Sequence, residues 1–215
     1  PELHFYPVPS YSLPIGCLLP QSTENFIVAE KSISVTNIVN GTTRLQPVVL
    51  QIGQAAGVIA ALSVKENLPP VEVSIRKVQS LLLENGGYLL PYIDVPNNHP
   101  RFKVYQRIGA TGILKGTGMN VGWENQTWFF PDQELVQNDL DHAISILKQF
   151  YAFPIPKSTK NKDMMQWFRE LITLIEPEKT SYNSRMERNF LTEILGEEVM
   201  SDDIMKRGDF AMLLD

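Results

Sequence analysis

Residues 44–64 read RLQPVVLQIGQAAGVIAALSV, and the fold turns on how this stretch is read. It has the pattern of a buried helix with one bare side. Pro47 fits the first turn, where its missing N–H costs nothing. Thr42, Thr43 and Gln46 offer capping oxygens at its start. Gly53, Ala56, Gly57, Ala60 and Ala61 recur at three- and four-residue spacing. With about 3.6 residues per turn, they share one face. Two glycines inside a helix cost roughly 1 kcal/mol each relative to alanine. Something must approach that face closely enough to offset the cost: a helix or sheet backbone, or a cofactor. Leucine at position 53 or 57 is then expected to overpack the contact and destabilise by roughly 1–3 kcal/mol per site.

The whole chain narrows the classes. Its 215 residues suffice for one or two domains with real cores. A net charge of −5 with no long basic run argues against nucleic acid. Cys17 is the single cysteine, which excludes a disulfide framework and a thiolate metal cluster. Beside Leu18 and Leu19 it reads as a small buried hydrophobe. His4, His99 and His142 are scattered, so no metal site is expected. No apolar run reads as long enough for a membrane span. Without an initiator Met or a signal-like segment, the chain is expected to be the C-terminal part of a larger protein. Its first partner would be its own upstream portion.

Taken in order, residues 1–24 are proline-rich and extended. Residues 25–35 read as a strand through Phe26, Ile27, Val28, Ile33 and Val35. Residues 37–43, with Asn40-Gly41, read as a polar turn. The small-residue helix follows and ends near Asn67, ahead of Pro69-Pro70. Residues 74–85 form a second helix with Ile75, Val78, Leu81 and Leu82 inward, stopped at Gly86-Gly87. Residues 92–100, YIDVPNNHP, have the composition of a junction. Beyond it a helix is expected over 101–111, with Val104, Tyr105 and Ile108 inward. A Gly-rich turn and Trp128-Phe129-Phe130-Pro131-Asp132 follow, then a helix over 136–151. A polar linker over 154–162 leads to helices over 164–175, 185–195 and 206–214. The fold class is α+β, mainly α. A strand–helix–helix unit over 1–92 precedes a helical module over 93–215.

Leu18-Leu19-Pro20, Asn25 ahead of Phe26-Ile27-Val28-Ala29, Ser34, Arg44 and Gly53-Gln54-Ala55-Ala56-Gly57 occur in a moderately specific order. Over roughly residues 9–90 this pattern resembles the C-terminal part of a family of FAD-dependent oxidoreductases. The resemblance implies a flavin redox reaction on a small or carbohydrate-like substrate. It implies a cofactor-binding set of Arg44, Gln46, Pro47, Val48, Gly53 and Gln54. There the start of the helix lies near the pyrimidine edge of the flavin, where charge grows on reduction. Apart from the resemblance, Arg44 reads equally as a surface cation paired with an acid. One departure stands out. The family has Gly-Arg after the strand, whereas this chain has Glu30-Lys31. Glycine lets a cofactor approach backbone, and a carboxylate there would repel a pyrophosphate. No G-x-G-x-x-G is present to hold the ADP part. FAD is therefore expected in the intact parent and not in this fragment, which is expected to be inactive alone. No catalytic residue can be assigned.

Gly112-Ile113-Leu114-Lys115-Gly116, then Phe130-Pro131-Asp132, then Asp139 resemble an S-layer homology module. Met205-Lys206-Arg207-Gly208-Asp209-Phe210-Ala211 resembles the helix start of a second, degraded copy. In such modules the arginine helps bind an anionic cell-wall polymer. Arg207 matches it, while the first copy has Gln137 there. The rival function is thus a structural or cell-surface carbohydrate-binding module, in the cell envelope or secreted. Some members of such families bear polysaccharide-lyase names, but no lyase chemistry is visible here. Trp123, Trp128, Phe129 and Phe130 could stack on sugar rings or form the module's small core, and the core reading is preferred. Glu124 and Asp132 have no spacing that supports an acid–base pair. Asn40-Gly41-Thr42 and Asn125-Gln126-Thr127 match the glycosylation sequon, a weak pattern.

Overall fold

The first helix arises where the sequence suggested a turn. Thr36 caps it, its Oγ1 accepting the Val39 amide at 3.3 Å, and α1 runs Asn37–Thr43. The cap decides the matter, since Asn40-Gly41 is turn chemistry only where no helix has already begun. Helix α2 follows at once, Gln46–Glu66, with Pro47 in its first turn as expected. It stops at Asn67, whose φ of 52° is left-handed, a conformation asparagine tolerates. Helix α3 is Ile75–Glu84, with Ser74 accepting the Lys77 amide at its start. Helix α4 (Phe102–Thr111) comes next, followed by a hairpin of β1 (Thr117–Val121) and β2 (Glu124–Trp128). Helices α5 (Gln137–Tyr151) and α6 (Arg207–Leu214) follow. The fold is α+β and mainly α.

This computed structural model describes residues 11–122, 124–151, 193–195 and 205–215. The expected linker over 154–162 and the helix over 164–175 lie outside them, as do most of 185–195 and Trp123. The chain divides into two compact units, one spanning Ser10–Pro91 and the other carrying Tyr92–Asp215.

In the first unit, Ile52, Ala56, Ile59 and Leu62 of α2 form the buried stripe. They pack with Leu18, Ile33, Val73 and Val78. The small-residue face is not what the core grips. Ala56 is buried, but Gly57, Ala60 and Ala61 are exposed. A Cβ built on Gly53 or Gly57 would meet no atom within 4 Å. The expected close contact is therefore absent within this unit, and the overpacking expectation at these glycines is corrected. The aliphatic stripe wins because it removes more apolar area from water than alanine and glycine can. By length and composition α2 could cross a membrane (21 residues, hydropathy 1.7), although the sequence reading found no such run. Here its aliphatic stripe forms one wall of a core.

Residues 25–35 are not a strand. They make two backbone bonds to the segment before them, Val28 N to Leu18 O at 2.8 Å and Ser34 N to Cys17 O at 2.9 Å. Asn25 and Glu30 have positive φ, 54° and 57°, and Glu30–Ser32 winds into a 3-10 turn. A strand needs a continuous ladder partner. Two left-handed residues five positions apart, Asn25 and Glu30, leave none possible.

The second unit is built around Phe129, which is 0% exposed. Tyr92 and Tyr105 flank it at ring distances of 5.1 and 4.8 Å. Tyr92 and Val95, expected in a junction, are therefore core residues. The Asp94 carboxylate accepts the amides of Phe129 and Phe130 at 2.8 and 2.6 Å. The Gly-rich turn expected after α4 is in fact the β1–β2 hairpin, paired antiparallel from Thr117↔Trp128 to Val121↔Glu124. Helix α6 docks beside α4, with Gly208 donating its amide to Pro131 O at 2.8 Å.

Candidate functional site: the corner before helix α2

The sequence-predicted cofactor residues all belong to α2 or to the corner that leads into it. Arg44 caps the C-terminus of α1, and Leu45 is the N-cap of α2. One helix thus ends on the residue before the next one's cap. No side chain caps α2. The threonines expected to do so are engaged or buried elsewhere. Thr42 Oγ1 donates to Val39 O at 2.8 Å and shares a 2.5 Å hydrogen bond with Tyr11 OH. Thr43 is buried, and its Oγ1 has no hydrogen-bond partner. Gln46 lies inside the first turn and has no cap bond. The amides of Gln46 and Val48 therefore lack a side-chain acceptor, and Pro47 has no amide to satisfy.

Electrostatically the corner is positive. An uncapped helix start carries roughly half a unit of positive charge. Arg44 adds a full one, is exposed, and has no ion pair among the described residues. Such a corner favours an anionic group or a ring edge that gains negative charge.

The remaining predicted residues extend along α2. Gly53 is half-buried and open to any approach from outside. Gln54 is half-buried and turned toward the end of α3, where its Oε1 would lie 3.2 Å from a Cβ on Gly87. Gln54 thus lies beside Gly87, at the end of α3. Near the corner Leu45, Leu50 and Ile38 of α1 are exposed, the last two at 73% and 89%, while the exposed Val64 lies at the far end of α2. The sequence reading took the small-residue face as a close contact and did not identify these exposed aliphatic residues.

Arg207 lies in the other unit, and its guanidinium is directed inward. It is 5% exposed and pairs with Asp139. It donates to Phe129 O at 3.0 Å and to Lys115 O at 2.8 Å. The residue that the resemblance gives to polymer binding here cross-links α6, α5 and the hairpin's flanks. Its partner Asp139 sits in the first turn of α5, where the helix start also favours its charge.

Comparison with known proteins bears on the first unit. Residues 1–82 match the family model described as FAD dependent oxidoreductase. That part of the chain is therefore similar to FAD-dependent oxidoreductases, whose members use FAD. No curated protein and no solved structure matches the chain.

Proposed function

We propose that the first unit serves as the flavin-edge portion of an FAD-dependent oxidoreductase acting on a small or carbohydrate-like substrate. The observation that carries the reading is an exposed Arg44, without an ion pair among the described residues, beside a helix start with no side-chain cap, inside a segment that matches that family. FAD, when bound, supplies the two-electron redox chemistry. The residues that would hold its pyrimidine edge are Arg44 and the first-turn amides of α2, Gln46 and Val48. Pro47 keeps that turn helical without adding a competing donor. Glu30 fits the group less well, since its carboxylate opposes a pyrophosphate at the position where the family carries glycine.

The 215-residue chain alone is not proposed to turn over substrate. It has no strand–G-x-G-x-x-G–helix unit, and an ADP moiety needs one. The exposed apolar residues Ile38, Leu45 and Leu50 by this corner support docking onto the body that would supply it, because exposed apolar patches mark interaction sites. Absorbance spectra of two preparations test the proposal. The 215-residue chain is expected to be colourless. The full product of its gene is expected to carry flavin, with a lower reduction potential after Arg44→Ala, since a cation beside the ring favours the reduced anion. A flavin-free full product, or a potential unmoved by Arg44→Ala, would sink the reading.

A further inference from the structure

The β1–β2 hairpin has one buried side and one outward side. Thr127, together with Phe129, faces the core, and both are buried. The alternate residues Glu124, Gln126 and Trp128 therefore share the other side of β2. The register places Val121, Met119 and Thr117 opposite them in turn. Met119 and Val121 are 42% and 45% exposed, so this side meets solvent. Its polar groups are ordered: Trp128 Nε1 donates to Gln126 Oε1 at 3.2 Å, and Gln126 Nε2 donates to Glu124 Oε2 at 2.9 Å. At the end of the row the Phe130 ring stacks on Trp128 at 5.6 Å and 14°.

That stack is held against a conformational cost. Phe130 has φ of 55°, a region bulky side chains avoid. The Asp94 carboxylate fixes it through two short backbone hydrogen bonds. Core packing explains Phe129, but not why its neighbour is twisted to lie against an outward-side tryptophan. Local strain of this kind points to a site.

We propose that the outward side of the hairpin binds a neutral saccharide, with Trp128 and Phe130 as the apolar platform and Gln126 and Glu124 as the hydroxyl-binding groups. An indole face is electron-rich and receives the slightly positive C–H groups of a sugar ring. A primary amide and a carboxylate beside it supply both donors and acceptors for hydroxyls. Charge selects the neutral class. From Gly116 to Trp128 the one charged residue is Glu124, which repels phosphate, uronate and nucleic acid. An apolar peptide strand would leave Gln126 and Glu124 without use.

Native electrophoresis of the whole chain through gels containing a galactomannan, a xyloglucan or a mixed-linkage β-glucan tests this, with heparin as the anionic control. Retardation by at least one neutral polymer and none by heparin is expected. Trp128→Ala should weaken it by at least about tenfold, and Gln126→Ala by a smaller, measurable factor. Should Trp128→Ala lose its circular dichroism melt, Gln126→Ala and Glu124→Ala, at half-buried and exposed positions, decide the question in its place. No retardation by any of the three neutral polymers overturns the proposal. So does retardation by heparin, or retardation that these variants leave unchanged.

Discussion

The guanidinium carbon of Arg207 lies 5.6 Å from the centre of the Phe129 ring. The same guanidinium donates to the carbonyl of Phe129 at 3.0 Å and pairs with Asp139. One side chain therefore holds the central aromatic residue by its ring and by its backbone. Arg207→Ala would leave the Phe129 and Lys115 carbonyls and the Asp139 carboxylate without this donor. Breaking a buried pair from one side costs roughly 3–5 kcal/mol, and the partial exposure of Asp139 places this case near 3. Arg207→Lys should recover less than half, since an ammonium cannot form the planar fork. Urea denaturation measures both. An Arg207→Ala midpoint equal to the parent's would show that the guanidinium contributes no net stability.

Alkaline pH should attack the same core. Burial is the largest influence on Tyr92 and raises its pKa well above the ordinary value of 10.0, against the lowering effect of Arg207. Tyr105 is raised as well, mainly by burial and against its hydrogen bond from Arg101. A raised acid keeps its proton in the folded state after the unfolded state has lost it. Stability is then intact below pH 10 and falls as pH climbs above it, by about 1.4 kcal/mol per unit for Tyr92. Absorbance of tyrosinate near 295 nm should lag for these rings and appear with unfolding. Tyr92→Phe should move the alkaline unfolding midpoint upward, and an unmoved midpoint would count against this account.

The contrast between the two resemblance-bearing segments shows what the sequence could reveal. The helical spans of α2, α3, α4, α5 and α6 were legible, because apolar periodicity, Pro47, Asn67 and Gly86 are local signals. Helix α1 was missed, since the Thr36 cap competes with the Asn40-Gly41 turn signal and one bond settles it. The β1–β2 hairpin was hidden because Gly118, Asn120, Gly122 and Asn125 dilute the alternation that marks a strand. Arg44 and Pro47 at the head of α2 were readable from the family pattern. The bareness of that corner was not, since Thr42 and Thr43 could each have capped it. That Arg207 packs rather than reaches out was suggested by Gln137, but its partner Asp139, 68 residues away in sequence, could not be read.

Glycines 57 and 208 should respond oppositely to the same change. Gly57 is exposed on α2, and a Cβ there meets nothing. Gly57→Ala should stabilise the first unit by roughly 0.5–1 kcal/mol through helix propensity. Gly208 is buried in α6, where a Cβ would lie 2.6 Å from the Tyr105 hydroxyl and 3.0 Å from Pro131 O. Gly208→Ala must push α6 away from the Pro131 backbone, at a cost of about 1–3 kcal/mol. Thermal melts of the two variants should shift in opposite directions, and shifts of one sign would refute the placement of either glycine.

Glu30 offers the sharpest link between sequence, backbone and proposed cofactor site. Its φ of 57° is the left-handed conformation, its side chain is exposed, and the resembling family carries glycine there. The backbone here adopts a conformation that glycine accepts without strain. A non-glycine residue in this region is disfavoured by about 1–2 kcal/mol. Glycine would relieve that strain but loses more freedom on folding, roughly 0.5–1 kcal/mol. Glu30→Gly should therefore stabilise the first unit by up to about 1.5 kcal/mol. Glu30→Ala, which removes the carboxylate but keeps the Cβ, should give no such gain. Comparing the two separates backbone strain from charge: equal midpoints for Gly and Ala would show that no strain is stored at this position.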